Sequence, residues 1–218
     1  GYGLLRIIDR IDFSSLRRSP KWFAGYSDIT VLHLWLSERH NIVSVHGEMP
    51  LNYSNPDKTI ETIDSLYACL FKGCPPVKWT SDSGREGTAE GEVTGGNLSL
   101  IYSLMGTPGE PKTRGKILVI EDVGEYLYHL DRMITSLRLA GKLKGLAALV
   151  AGGLNDMNET KTPWGKSAQS IIADAVRGYS YPLFFNFPAG HINDNRAFYI
   201  GARAKIEARQ GKAVLRYL

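Results

Sequence analysis

At 218 residues, 43% apolar and 22% charged, the chain holds enough apolar material for one large domain or two small ones. It has no run approaching the ~18 apolar residues of a membrane span. Its net charge of +4 is spread over scattered Lys and Arg with no basic stripe among aromatics, which argues against nucleic acid as a partner. Cys69 and Cys74 match no metal-ligand spacing and read as reduced thiols, in keeping with a cytoplasmic protein.

The chain opens on Gly1-Tyr2-Gly3 without an initiator methionine, so preceding residues are expected to be missing. Residues 4–11 repeat Leu4, Leu5, Ile7, Ile8 and Ile11 at helical spacing. Residues 21–25 form a short strand, and an amphipathic run from 29 to about 39 forms a helix stopped by Asn41. Between them, Ser27 stands on a sharp strand-to-helix turn. There its hydroxyl would project above the sheet, close to the first N–H groups of the helix. Gly25 permits the tight bend, and Asp28 or Thr30 can cap the helix. The plainer reading is that Ser27 and Asp28 are themselves capping residues; the second glycine of a usual hydrolase elbow is replaced by Ile29.

A second buried strand over 42–45 ends at His46-Gly47, and a helix is expected over 56–71. Character changes after Gly73, where residues 76–90 read as a linker with short strands between a segment 1–75 and a segment 91–218. Strand and helix then alternate. Gly95-Gly96-Asn97 opens a helix through Met105, and 116–120 is a nearly continuous apolar strand. A helix over 126–140, a strand over 146–150, a helix over 164–176 and a strand over 183–187 follow. Residues 204–218 read as a hairpin turning at Gln210-Gly211.

Three polar sites each close a buried strand: Ser27, Glu121-Asp122, and Pro188-Ala189-Gly190-His191. A serine needs a base to take its proton, histidine is the usual base near neutrality, and the imidazole needs a carboxylate to hold its tautomer. Ser27, Glu121 and His191 would fill these roles in the chain order Ser…Glu…His. His46 also ends a strand and is a rival base; Asp122 is a rival acid. His33 and His129 lie within helices and read as packing or surface residues, and His40 sits near a helix end.

With these residues in view, the chain resembles the LD-carboxypeptidases of the S66 serine peptidase family. The resemblance rests on Gly1-Tyr2-Gly3, Pro20-Lys21, Gly25-Tyr26-Ser27-Asp28-Ile29-Thr30 and His46-Gly47 with Met49. It continues through Gly95-Gly96-Asn97-Leu98, Gly106-Thr107-Pro108, Ile120-Glu121-Asp122, Asp131-Arg132-Met133 and Phe187-Pro188-Ala189-Gly190-His191. It implies an α/β protein: a Rossmann-like N-terminal nucleophile domain, here truncated of its leading strands, followed by a smaller α/β C-terminal domain. It also implies Ser27 as nucleophile, Glu121 as orienting acid and His191 as base, with the N–H groups of Asp28 and Gly1 as oxyanion donors. His46, Gly95, Gly96 and Asn97 are further candidates for contact with the substrate. The implied substrate is the murein tetrapeptide of cell-wall recycling, cleaved in the cytoplasm by a homodimer that needs no cofactor or metal. Microcin-type cleavage of a peptide-nucleotide, or a non-catalytic muropeptide-binding protein, are the alternatives. Glu48 stands where the resemblance leads one to expect proline after His46-Gly47 and reads as tolerated variation.

Overall fold

The apolar run at 116–120 becomes the centre of the molecule. The computed structural model describes residues 3–81 and 83–218. In it, the run forms strand β6 (Ile117–Val123), paired in parallel with β5 (Gly87–Asn97) on one side and β7 (Ala148–Asn155) on the other. The sheet continues past β7 through β8 (Leu183–Phe184) to β4 (Gly84–Arg85). Past β5 it continues through the hairpin β10 (Arg203–Arg209) and β11 (Lys212–Tyr217) to β3 (Val77–Thr80). The edge strands β3 and β4 are separated in the chain by residues 81–83 only, so the eight strands curl towards closure. Trp79 Nε1 donates to the Phe185 carbonyl at 2.9 Å across this junction.

Alternation along β6 sorts its side chains between two cores. Ile117 and Val119 point inward to Val93, Val150, Phe184 and Phe198. Leu118 and Ile120 point outward to the helices α3 (Leu98–Ser103), α4 (Leu127–Leu139) and α5 (Ala168–Ala175), meeting Leu98, Leu130 and Ile172. A parallel strand covered on both faces must be apolar on both faces, which is why its sequence shows no alternation.

A smaller sheet carries the first part of the chain. Its strands β1 (Ala24–Gly25) and β2 (Ser44–His46) are parallel, and α1 (Thr30–Trp35) follows β1. Its third strand, β9 (Phe198–Ile200), runs antiparallel to β2 and comes from the segment 91–218. The two segments therefore share a sheet. α2 (Ile60–Phe71) packs beside it, with Leu66 and Cys69 buried against Val45 and Ala197.

Most expected elements form, and the exceptions have local causes. Residues 4–11 make two short 3-10 turns, Leu4–Arg6 and Ile8–Arg10, interrupted at Ile7; only Ile8 of the two turns is buried. Residues 87–90, placed within the linker and short strands of 76–90, are the start of the 11-residue β5. There Thr88 and Glu90 face solvent while Ala89 faces the core, so small and polar residues hide the strand. The strand expected over 183–187 is shorter, because the chain turns away after Phe184. The hairpin turns at Gln210 and Gly211, both with positive φ (52° and 73°), as a tight hairpin connection requires.

Phe198 joins the two sheets: it is fully buried, stacks on His46 at 4.6 Å and meets Phe187 edge-on at 5.2 Å. Phe198→Ala is expected to cost about 3–5 kcal/mol in urea unfolding. A loss below about 1 kcal/mol would show that the sheets do not depend on a common core.

Candidate active site

The turn after β1 holds Ser27 at φ 60°, a left-handed conformation that a non-glycine residue adopts only when its surroundings impose it. The surroundings are visible. The Gly25 carbonyl accepts the Gly47 N–H at 3.1 Å and His33 Nε2 at 2.9 Å. A carbonyl can only accept, so Nε2 carries the proton and Nδ1 accepts the Ser44 hydroxyl at 2.8 Å. Burial pushes the His33 pKa down to about 4 against the opposing pull of the Gly25 bond, so this imidazole is a neutral brace at pH 7. Neither expected cap forms. The Asp28 carboxylate accepts the Leu4 N–H at 3.1 Å, and Thr30 Oγ1 accepts the Asn97 N–H at 2.9 Å. The sequence reading missed this role of His33; its only local signal was a polar residue on the buried face of a short helix.

At the end of β6, Glu121 and Asp122 point to opposite faces. Glu121 is fully buried and accepts from His191 Nδ1 at 2.9 Å. That bond sets the imidazole so that Nε2 is left for other chemistry. The turn bearing His191 comes very close: a Cβ on Gly190, at φ 103°, would collide with the Glu121 carboxylate. On β7, a Cβ on Gly152 would lie 2.7 Å from the Ala189 carbonyl, and the Gly153 N–H donates to that carbonyl at 2.9 Å. Tyr26, the residue before Ser27, meets the His191 ring edge-on at 4.8 Å, so the serine turn and the histidine turn stand against each other.

Asp122 faces the helices instead. Its oxygens accept from Asn97 Nδ2 (3.0 Å), the Ser99 N–H (2.9 Å) and the Val123 N–H (3.0 Å). Burial pushes its pKa up to about 6, more than the Val123 and Asn97 bonds lower it.

Other expected site residues have different surroundings. His46 is fully buried and stacked on Phe198, and burial holds its pKa well below that of an ordinary histidine, with His33 and His191 adding to the effect. Asn97 is also turned inward, its carbonyl oxygen accepting from the Leu100 N–H and the Ser99 hydroxyl. Gly95 and Gly96 pack against Val119 and Thr30. Gly1 lies outside the described residues. Beside the histidine turn is a cavity of about 560 Å³ lined by Gly152, Asn155, Gln169, Phe187 and Ile192. Among the described residues no group of three or more His, Cys, Asp or Glu could hold a metal ion, and no helix is long and apolar enough to cross a membrane.

The chain is similar to known proteins along most of its length. Residues 1–47 match the LD-carboxypeptidase N-terminal domain and residues 90–206 the LD-carboxypeptidase C-terminal domain. A probable murein peptide carboxypeptidase from Bacillus subtilis is 35% identical over 220 residues, covering 99% of this chain and 69% of that protein. The crystal structure of a muramoyltetrapeptide carboxypeptidase from Oxalobacter formigenes superposes with a TM-score of 0.89 at 31% identity, covering 100% of this chain and 77% of that one. An MccF-like protein from Bacillus anthracis shares the fold, with a TM-score of 0.81 at 24% identity over 100% of this chain and 74% of that one.

The buried groups give stability a signed pH dependence. The unfolded chain takes up a proton at His33 near pH 6.5 and the folded chain only near 4, so stability falls as pH drops through that window. Asp122 acts oppositely: its folded carboxyl takes a proton near 6 and its unfolded one near 3.8, so protonation there favours the fold. Asp122→Asn removes this counterweight. The slope of unfolding free energy against pH should steepen between about pH 6 and 4. An unchanged slope would show that Asp122 does not titrate in that range.

Proposed function

The chain belongs to the LD-carboxypeptidase family of serine peptidases, and on that premise we propose that it removes the terminal D-alanine from murein tetrapeptide through a Ser27–His191–Glu121 triad. The observation that carries the reading is the His191–Glu121 hydrogen bond, buried on the carboxylate side and set against the residue preceding Ser27. Ser27 Oγ attacks the carbonyl of the amide joining the L-configured centre of the third residue to D-alanine. His191 Nε2 takes the hydroxyl proton and returns it to the leaving amine. Glu121 holds the Nδ1–H tautomer and stabilises the imidazolium. The Asp28 N–H, next to the strained serine, serves the oxyanion. Water then resolves the acyl-enzyme by the same proton route in reverse.

The similarity to muramoyltetrapeptide and murein peptide carboxypeptidases supports this substrate. The similarity to the MccF-like protein carries the fold alone. A recycling role places the enzyme in the cytoplasm, and we propose a homodimer, testable by light scattering on the full-length protein.

The test is mass spectrometry of murein tetrapeptide after incubation with the full-length protein, read as loss of one alanine. Ser27→Ala and His191→Ala should each lower kcat about a thousandfold or more. Glu121→Gln should also lower kcat strongly, because an amide can hold the wrong tautomer and does not stabilise the imidazolium. Near-normal turnover by Ser27→Ala would remove the serine from the mechanism.

A further inference from the structure

Glu48, which the sequence reading passed over as tolerated variation, is among the best-connected side chains outside the triad. It follows β2 and is 1% exposed. Its Oε1 accepts the Met49 N–H at 2.9 Å and Asn52 Nδ2 at 2.8 Å, and Asn52 Nδ2 also reaches Tyr26 Oη at 3.0 Å. Its Oε2 pairs with Lys58 Nζ at 2.6 Å and lies 3.4 Å from Asn195 Nδ2. Lys58 Nζ donates to the Ile192 carbonyl at 2.9 Å, and Asn195 Oδ1 accepts the Gly190 N–H at 2.9 Å. One oxygen thus leads to the residue before Ser27, and the other leads to the residues on either side of His191.

We propose that Glu48 is a positioning residue: a buried anion that holds the serine turn and the histidine turn at one mutual distance. The proposal rests on the reading of Ser27 and His191 as nucleophile and base. A neutral side chain could fill the space, but charge-assisted bonds are the stronger and shorter ones, and Lys58 cannot be held at the Ile192 carbonyl without a counter-charge. Burial raises the Glu48 pKa, and the bonds from Lys58, Asn52 and the Met49 N–H together outweigh that rise, so the carboxylate stays ionised. Removing the anion frees both turns to drift, and a drift of about 1 Å at a catalytic pair costs on the order of a hundredfold in rate.

The experiment uses the full-length protein, Glu48→Gln, Lys58→Met and the double variant that deletes both charges. Three quantities are read: Tm, kcat and KM for D-alanine release from murein tetrapeptide, and the rate at which a fluorophosphonate labels Ser27 with loss of fluoride. Each single variant leaves one buried charge unpaired and should lower Tm, which the double variant should recover. The labelling rate and kcat should nevertheless stay about 10- to 100-fold low in the double variant, with KM within about threefold of wild type. That split separates positioning from stability. Labelling and turnover within about threefold of wild type in the double variant overturn the proposal. Failure of every variant to fold also overturns it, by assigning Glu48 to the fold. A wild-type protein whose Ser27 is not labelled counts against the nucleophile itself, a result distinct from either.

Discussion

The last two carboxylates of β6 set the terms for everything around them. Both faces of the strand are covered, so Glu121 and Asp122 each leave water and must find partners inside the protein. Strand geometry sends them to opposite sides, and the fold answers each separately. Asp122 is absorbed by Asn97 and the first turn of α3, which ties the helix to the sheet. One oxygen of Glu121 accepts from a histidine delivered from 70 residues further on, while among the described residues the other, Oε1, has no hydrogen-bond partner. One strand end therefore supplies both an anchor for α3 and the hydrogen-bond partner of His191.

Burial also divides the histidines into tasks. His33 is enclosed, neutral and committed to two hydrogen bonds that hold β1 to β2 behind the serine turn. His46, on the same sheet, is enclosed and stacked on Phe198. The His191 side chain keeps 24% of its surface in contact with solvent while its inner nitrogen is held by Glu121. An imidazole that must exchange protons with a substrate needs both conditions: an accessible nitrogen and an anchored one.

Bringing a serine turn and a histidine turn face to face requires backbone geometries that are poor in isolation. Ser27 at φ 60° costs on the order of 1–3 kcal/mol, which the packed neighbours must offset. The bonds on the Gly25 carbonyl, the approach permitted by Gly152 and Gly190, and the ties running out from Glu48 all serve that end. The two turns are thus held mainly from behind, by buried residues.

Local pattern alone was enough to identify much of the fold. The apolar run of β6, the 3.6-residue repeat of α4 and the Gln210-Gly211 turn each report a preference that a short stretch expresses by itself. The ordered set of motifs around Ser27, Glu121 and His191 carried the resemblance to the LD-carboxypeptidase family, to which the chain belongs. Four matters were decided only by tertiary structure. They are which histidine meets the end of β6, which of two adjacent carboxylates it meets, that Phe198–Ile200 completes the first sheet, and that Glu48 is bonded to Asn195 across the chain. Each depends on contacts between residues tens of positions or more apart, and periodicity carries no information about those. The polar strand 87–90 was hidden for a related reason: its pairing with β10 forms it, while its small and charged side chains show little preference of their own.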